Sequence, residues 1–213
     1  MDLTVLTWKE ILERIIVGFA SARGMQNSQI EEIVQKLQPL DKRAEAARDP
    51  GLKGILATRV EPDQVDDLKK DRDASPASRR VRAAAILIND FSMECLKDAN
   101  YDLRLGEEVY VTQDKLPRKL TNENDTVVIR PGEFGVLTTF EYVSIPTDLL
   151  GLISLRFRYK NLGLVNISGF HVDPGFTGRV LFSVFNSGPR DVALRYKDPV
   201  FMIMFERLER RVE

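Results

Sequence analysis

The 213-residue chain carries 31 Lys and Arg against 32 Asp and Glu, with one histidine and one cysteine. A net charge of -1 excludes a strongly basic nucleic-acid surface and a polybasic membrane-binding segment. The single Cys95 excludes an internal disulfide and a zinc cluster and is expected of a cytoplasmic protein.

The start, MDLTVLTWKEILERIIVGFA, sets charges among its apolar positions, so neither a signal peptide nor a membrane span is expected there. Its spacing predicts a helix over residues 7–22. Trp8, Ile11, Leu12, Ile15, Ile16 and Phe19 recur at steps of three and four and line one face. Thr7 and Glu10 have capping-box spacing, and Gly24 is a natural stop. Ser28 and Glu31 repeat the box before a second stripe of Ile30, Ile33, Val34 and Leu37, which Pro39 limits. Residues 40–62 are broken by Pro50, Gly51, Gly54 and Pro62. Residues 63–75 are almost wholly polar and read as an exposed helix or a linker. A further helix is expected over residues 76–88. Its Arg79, Arg80 and Arg82 are either a solvated face or a phosphate-binding cluster.

After about residue 100 the period changes to short alternating runs, among them YDLRLGEEVYV, TVVIRPGEFGVLTTFEYVSIP, LGLISLRFRY and GRVLFSVFNSG. Turn residues separate them, which predicts an all-β sandwich, jelly roll or barrel rather than a parallel α/β sheet. The expected organisation is a helical N-terminal extension, residues 1–80, and a β domain, residues 86–213.

The motifs YDLRLGEEVY (101–110), RPGEFGVLTTFEYVSIPTDLLGLISLRFRYKNLGL (130–164), HVDPGFTGRVLFSVFNSG (171–188) and VALRYKDPVFMIMFERL (192–208) follow one another as in the dCTP deaminase/dUTPase superfamily, and residues 86–208 resemble it. The resemblance implies a distorted double-sheet jelly roll that assembles as a homotrimer with active sites between subunits. It implies a pyrimidine deoxynucleoside triphosphate as ligand, with Mg²⁺ on its phosphates. By the same resemblance, Asp102 helps place the substrate and its magnesium, and Arg156, assisted by Arg158, holds the phosphates. Asp173 lies near the sugar and orients a water, and Phe176 sits under the deoxyribose. His171 stands where the deaminases tend to place a basic residue beside the substrate. Structural alternatives stay open: Asp102 closing a strand turn with Arg104, Arg156 paired to a neighbouring carboxylate, Phe176 as core, His171 at a subunit interface. His171 and Asp173 alone are too few ligands for a metal.

Several positions depart from that pattern. Where the deaminases carry the glutamate that moves the proton, this chain has Ser183, whose hydroxyl cannot act as that acid/base unaided. Glu206 is the next glutamate along. Phe157 and Arg158 replace the motif's serines, Met202 or Met204 takes the place of a polar residue, and Glu213 follows the last strand where the family has a lid-like tail. Three functions remain at this stage: a dCTP deaminase- or dUTP diphosphatase-like hydrolase, a catalytically degenerate nucleotide sensor, or a trimeric assembly protein whose N-terminal helices bind a partner.

Overall fold

The computed structural model describes residues 5–23, 25–37, 46–57 and 85–212. The expectations for Gly24, Pro39, the polar run 63–75 and Arg79, Arg80 and Arg82 lie outside the described residues.

Among the described residues three helices precede the strands: α1 (Trp8–Ala22), α2 (Asn27–Leu37) and α3 (Pro50–Leu56). The capping box of α1 forms, with Thr7 N donating to Glu10 Oε2 at 2.9 Å and Glu10 N to Thr7 Oγ1 at 3.5 Å. That of α2 is shifted. Gln26 N donates to Gln29 Oε1 at 3.0 Å, and Ser28 lies inside the helix. Gln26 and Gln29 have the same three-residue spacing, and their pairing starts the helix earlier than Ser28 would. Asp49 caps α3 by accepting from Leu52 N at 2.9 Å, with Pro50 at the first helical position.

The apolar face of α1 is spent on the chain's own core. Ile11, Leu12, Ile15, Ile16 and Phe19 are all fully buried in the cluster that also contains Leu103, Ile203 and Phe205 of the sheet. Each such side chain contributes about 1.5–3 kcal/mol. Polar links fix the docking angle: Arg14 forks onto both oxygens of Asp148 at 3.1 and 2.9 Å, and Leu6 N donates to Phe205 O at 2.8 Å.

The rest is mainly β: β1 (Leu87–Ile88), β2 (Tyr101–Val111), β3 (Arg118–Lys119), β4 (Thr126–Ile129), β5 (Phe134–Ser144), β6 (Leu149–Leu155), β7 (Leu164–Asn166), β8 (His171–Val172), β9 (Thr177–Asn186), β10 (Val192–Arg195) and β11 (Pro199–Arg207). Every pairing is antiparallel. The main path runs β7-β9-β5-β2-β11-β6-β8, and β4 pairs with β10 apart from it. β2 serves both halves of the curled sheet, and its register shifts between Leu105 and Val109. A β-bulge of this kind bends a strand and lets it turn from one sheet to the other. The rings of Phe182 on β9 and Phe201 on β11 stack at 4.0 Å across the interior between the halves. This is the mainly β, double-sheet architecture expected from the motifs.

Two local expectations are corrected. Leu87 and Ile88 form a strand against Ser144 and Val143 of β5 instead of ending a helix; both are buried, and pairing with a preformed edge outweighs helical spacing. The alternation in LRFRY also does not continue β6. The strand ends at Leu155, and α4 (Phe157–Lys160) makes one helical turn after an extended Arg156. Leu87 and Tyr159 are both buried at these places.

Candidate nucleotide site

Strand registers place the candidate residues. Asp102 of β2 lies beside Met202 of β11, which lies beside Ser154 of β6. Two residues along β6, Leu152 lies beside His171 of β8. Laterally paired and alternate residues share one face, so Asp102, Met202, Ser154, Leu152 and His171 belong to the same face of the sheet. The opposite face, with Phe201, Ile203 and Phe205, is core.

On that face the residues form two clusters. In the first, Asp102 is buried. Its Oδ1 accepts from Asn100 Nδ2 at 3.0 Å. Its Oδ2 faces Arg156 Nη1 at 3.2 Å and Lys97 Nζ at 3.8 Å, without an aligned hydrogen bond. Arg156 is the extended residue that caps α4, and its side chain is 38% exposed. Asp102 and Arg156 are thus each other's partner. The alternative pairing of Asp102 with Arg104 does not form: Arg104 goes to Glu141 at 2.6 Å. Arg158 points elsewhere, its guanidinium over the Tyr159 ring at 5.4 Å.

The second cluster is a turn. Asp173, Pro174, Gly175 and Phe176 close with Phe176 N donating to Asp173 O at 3.1 Å. Gly175 has φ +83°, so this is a type II turn with proline and glycine where that turn needs them. Asp173 presents its carboxylate outward, 82% exposed, with His171 Nε2 3.3 Å away. Phe176 packs partly on the core. Its ring lies over Gly178, where a Cβ would come within 3.2 Å of Cζ. Ile145 N donates to Phe176 O at 2.8 Å and ties the turn to the end of β5.

Arg156 follows the last residue of β6, four residues on from Leu152, which lies beside His171; at strand spacing the backbones of Arg156 and His171 are about 14 Å apart within one chain. Ser183 belongs to neither. It points outward from β9, half-buried between the exposed Leu181 and Phe185. Exposed Val165 of β7 lies beside Phe185, and exposed Ile167 donates its backbone N–H to Ser183 O at 2.8 Å.

A family model for dCTP deaminase-like proteins matches residues 73–208. The chain belongs to the dCTP deaminase-like family. The dCTP deaminase of Pyrococcus abyssi is 34% identical over 124 residues, which is 58% of this chain and 78% of that protein. That of Thermococcus kodakarensis is 36% identical over 124 residues, 58% and 77% of the two chains. Among solved structures, the 2'-deoxycytidine 5'-triphosphate deaminase of Agrobacterium tumefaciens aligns at a TM-score of 0.46 with 15% identity, over 56% of this chain and 42% of that one. Helices α1–α3 lie before the matched residues.

The magnesium implied by the resemblance to the deaminases fits this dCTP deaminase-like chain only as a passenger on a nucleotide. Among the described residues no three His, Cys, Asp or Glu side chains group as ligands. Asp102 already faces two cations, which would repel a resident one. Two residues of the site were missed from the sequence, Lys97 and Asn100, and so was the buried Glu141 that takes Arg104 away from Asp102. Glu141 carried a usable signal, because it falls in phase with the inward Leu137, Thr139 and Val143 of β5. A carboxylate at such a position needs a buried cation.

Burial raises the Asp102 carboxyl above its usual range, against the pull of Arg156, Lys97 and Asn100. A carboxyl whose folded pKa exceeds its unfolded one binds its proton more readily in the folded chain, so its contribution to stability falls as pH rises through that interval. Asp102→Asn has no such proton to lose. Its Tm relative to wild type is expected to rise as melts move from about pH 3.5 towards neutrality, and a falling difference would mean that the cations outweigh burial.

Proposed function

We propose that this dCTP deaminase-like chain binds a pyrimidine deoxynucleoside triphosphate and does not deaminate it. The observation that carries the reading is the Arg156–Asp102 pair. A buried carboxylate takes Nη1 of a half-exposed guanidinium, and the rest of the fork is left for phosphate oxygens, which it suits in geometry and charge. Phe176, fixed over Gly178, offers a flat surface to the deoxyribose, and His171 and Asp173 offer polar contacts beside it. Magnesium carried on the triphosphate would neutralise part of its charge.

Deamination requires a group that moves protons between water and the leaving ammonia. Ser183 stands in an exposed apolar strip, and among the described residues its hydroxyl makes no hydrogen bond. Glu206 is at the far end of β11, opposite Leu150. A second reading, hydrolysis of dUTP at the α-phosphorus, is favoured by the exposure of Asp173, which can hold a water. A third, a protein partner bound through the N-terminal helices, draws no support from α1, whose apolar face is buried.

The separation of about 14 Å between Arg156 and His171 supports assembly of the site from two chains of a homotrimer, with Arg156 from one and Asp173 from another. The half-exposed Leu150, Leu152, Met202 and Met204 between the clusters supply an apolar surface for such contact. Cytoplasm is the proposed compartment; Cys95 is buried and unpaired. Among the described residues no helix is long and apolar enough to cross a membrane.

The test incubates purified protein with dCTP, dUTP, dTTP and CTP plus Mg²⁺, with products read by chromatography and Tm on the same samples. The deoxynucleotides are expected to raise Tm, CTP to raise it least, and dCTP to remain dCTP. Monophosphate and pyrophosphate from dUTP would select the hydrolase reading. No shift with any nucleotide would overturn both.

A further inference from the structure

A cavity of about 360 Å³ opens between the end of α3 and the sheet, lined by Leu56, Asp90, Phe91, Arg104, Phe140 and Lys197. It shares no residue with either cluster above, and its volume is within the range of small-ligand sites. Two cations converge in it on one ring. The Arg104 guanidinium lies 4.7 Å and Lys197 Nζ 5.1 Å from the centroid of Phe140, whose edge meets Tyr196 at 5.9 Å.

The two cations are held differently. Arg104 is anchored: Nε donates to Glu141 at 2.6 Å and Nη2 to the Asp90 carbonyl, while Nη1 has no partner among the described residues. Lys197 Nζ reaches Glu123, a carboxylate 82% exposed, at 3.4 Å and also lies 5.3 Å from the centroid of Tyr196. The lining residues carry two cations and one carboxylate, Asp90 at the exposed rim; Glu141 and Glu123, outside the lining, each offset part of one cation's charge.

The backbone supplies an independent sign. Among the described residues only two non-glycine residues have positive φ, Asp90 at 57° and Lys197 at 62°, and both line this cavity. Aspartate tolerates that region, but lysine gains nothing local from it. Glycine would close the turn between β10 and β11 with less strain. Keeping a lysine there carries a cost to folding, set against its contacts with Phe140, Tyr196 and Glu123, and strain of this kind gathers at binding sites.

The geometry points to a second ligand site here, for a small planar anion whose ring packs on Phe140, Phe91 and Leu56 and whose phosphate or carboxylate takes Lys197 Nζ and Arg104 Nη1. It stands apart from the nucleotide reading and survives if that reading fails. The site joins α3 to the β part, so occupancy would tie the N-terminal helices to the sheet.

The test is calorimetric titration of the whole chain with phenyl phosphate, inorganic phosphate and phenol. Phenyl phosphate is expected to bind, and each half alone to bind about tenfold more weakly or less. Lys197→Gly is expected to bind phenyl phosphate about tenfold more weakly while its Tm stays level or rises, because glycine relieves the strained φ. No heat with wild type, or unchanged affinity in Lys197→Gly, would overturn the assignment.

Discussion

Arg156→Gln is expected to weaken binding of a pyrimidine deoxynucleoside triphosphate by about 100-fold. Charge-assisted hydrogen bonds to phosphate are worth about 1.5–3 kcal/mol, which is about 10- to 150-fold in affinity. The neutral amide keeps neither the fork nor the charge. The same change costs little stability, about 1 kcal/mol, because the arginine side of the pair is exposed to water and Asp102 keeps Asn100 and Lys97. Titration calorimetry and thermal melts on the two proteins separate these effects. Equal affinity with a normal melt would remove Arg156 from the ligand.

Arg104→Met is expected to be the most damaging single change to stability, by about 3–5 kcal/mol, since it strands a buried charge. Glu141 is 0% exposed. Its two oxygens take Arg104 Nε at 2.6 Å and the Arg104 backbone N at 2.8 Å. Burial already raises the Glu141 carboxyl, with Arg104 pulling it back down; without the guanidinium that restraint is lost. The double variant Arg104→Met with Glu141→Leu should recover most of the loss, because apolar residues of similar size replace a buried pair at little cost. Urea unfolding of the two variants checks this. A double variant as unstable as the single one would mean that Arg104 acts through its packing on Phe140 and not through the charge.

The β half was legible because its strands are short and alternating and its turns carry the residues those turns demand. Asp173-Pro174-Gly175 announces a type II turn from composition alone, and Gly175 adopts the positive φ it was suited for. The stripe of α1 was equally clear, and its capping box formed as spaced. What failed were places where tertiary pairing overrode local pattern. Leu87 and Ile88 kept helical spacing but found the edge of β5, and LRFRY alternated like a strand although the chain turns a corner after Leu155.

At the site, residue types were readable but partnerships were not. Asp102 was weighed against Arg104, two positions away, yet its partner is Arg156, 54 residues on. Strand registers bring those two together, and no spacing in the sequence encodes a register between β2, β11 and β6. The roughly 14 Å between Arg156 and His171 was hidden for the same reason, and so was the cavity at Lys197, which needs α3, β2, β5 and two turns at once.

In the proposed function the Arg156–Asp102 pair holds phosphate while Ser183 replaces the proton-moving group. One measurement tests it most directly: dCTP and Mg²⁺ titrated into the purified protein, with released ammonia assayed in the same samples. Saturable heat without ammonia is the predicted result. Ammonia released in step with a uracil nucleotide would contradict the account, and would mean that a group other than Ser183 carries the proton.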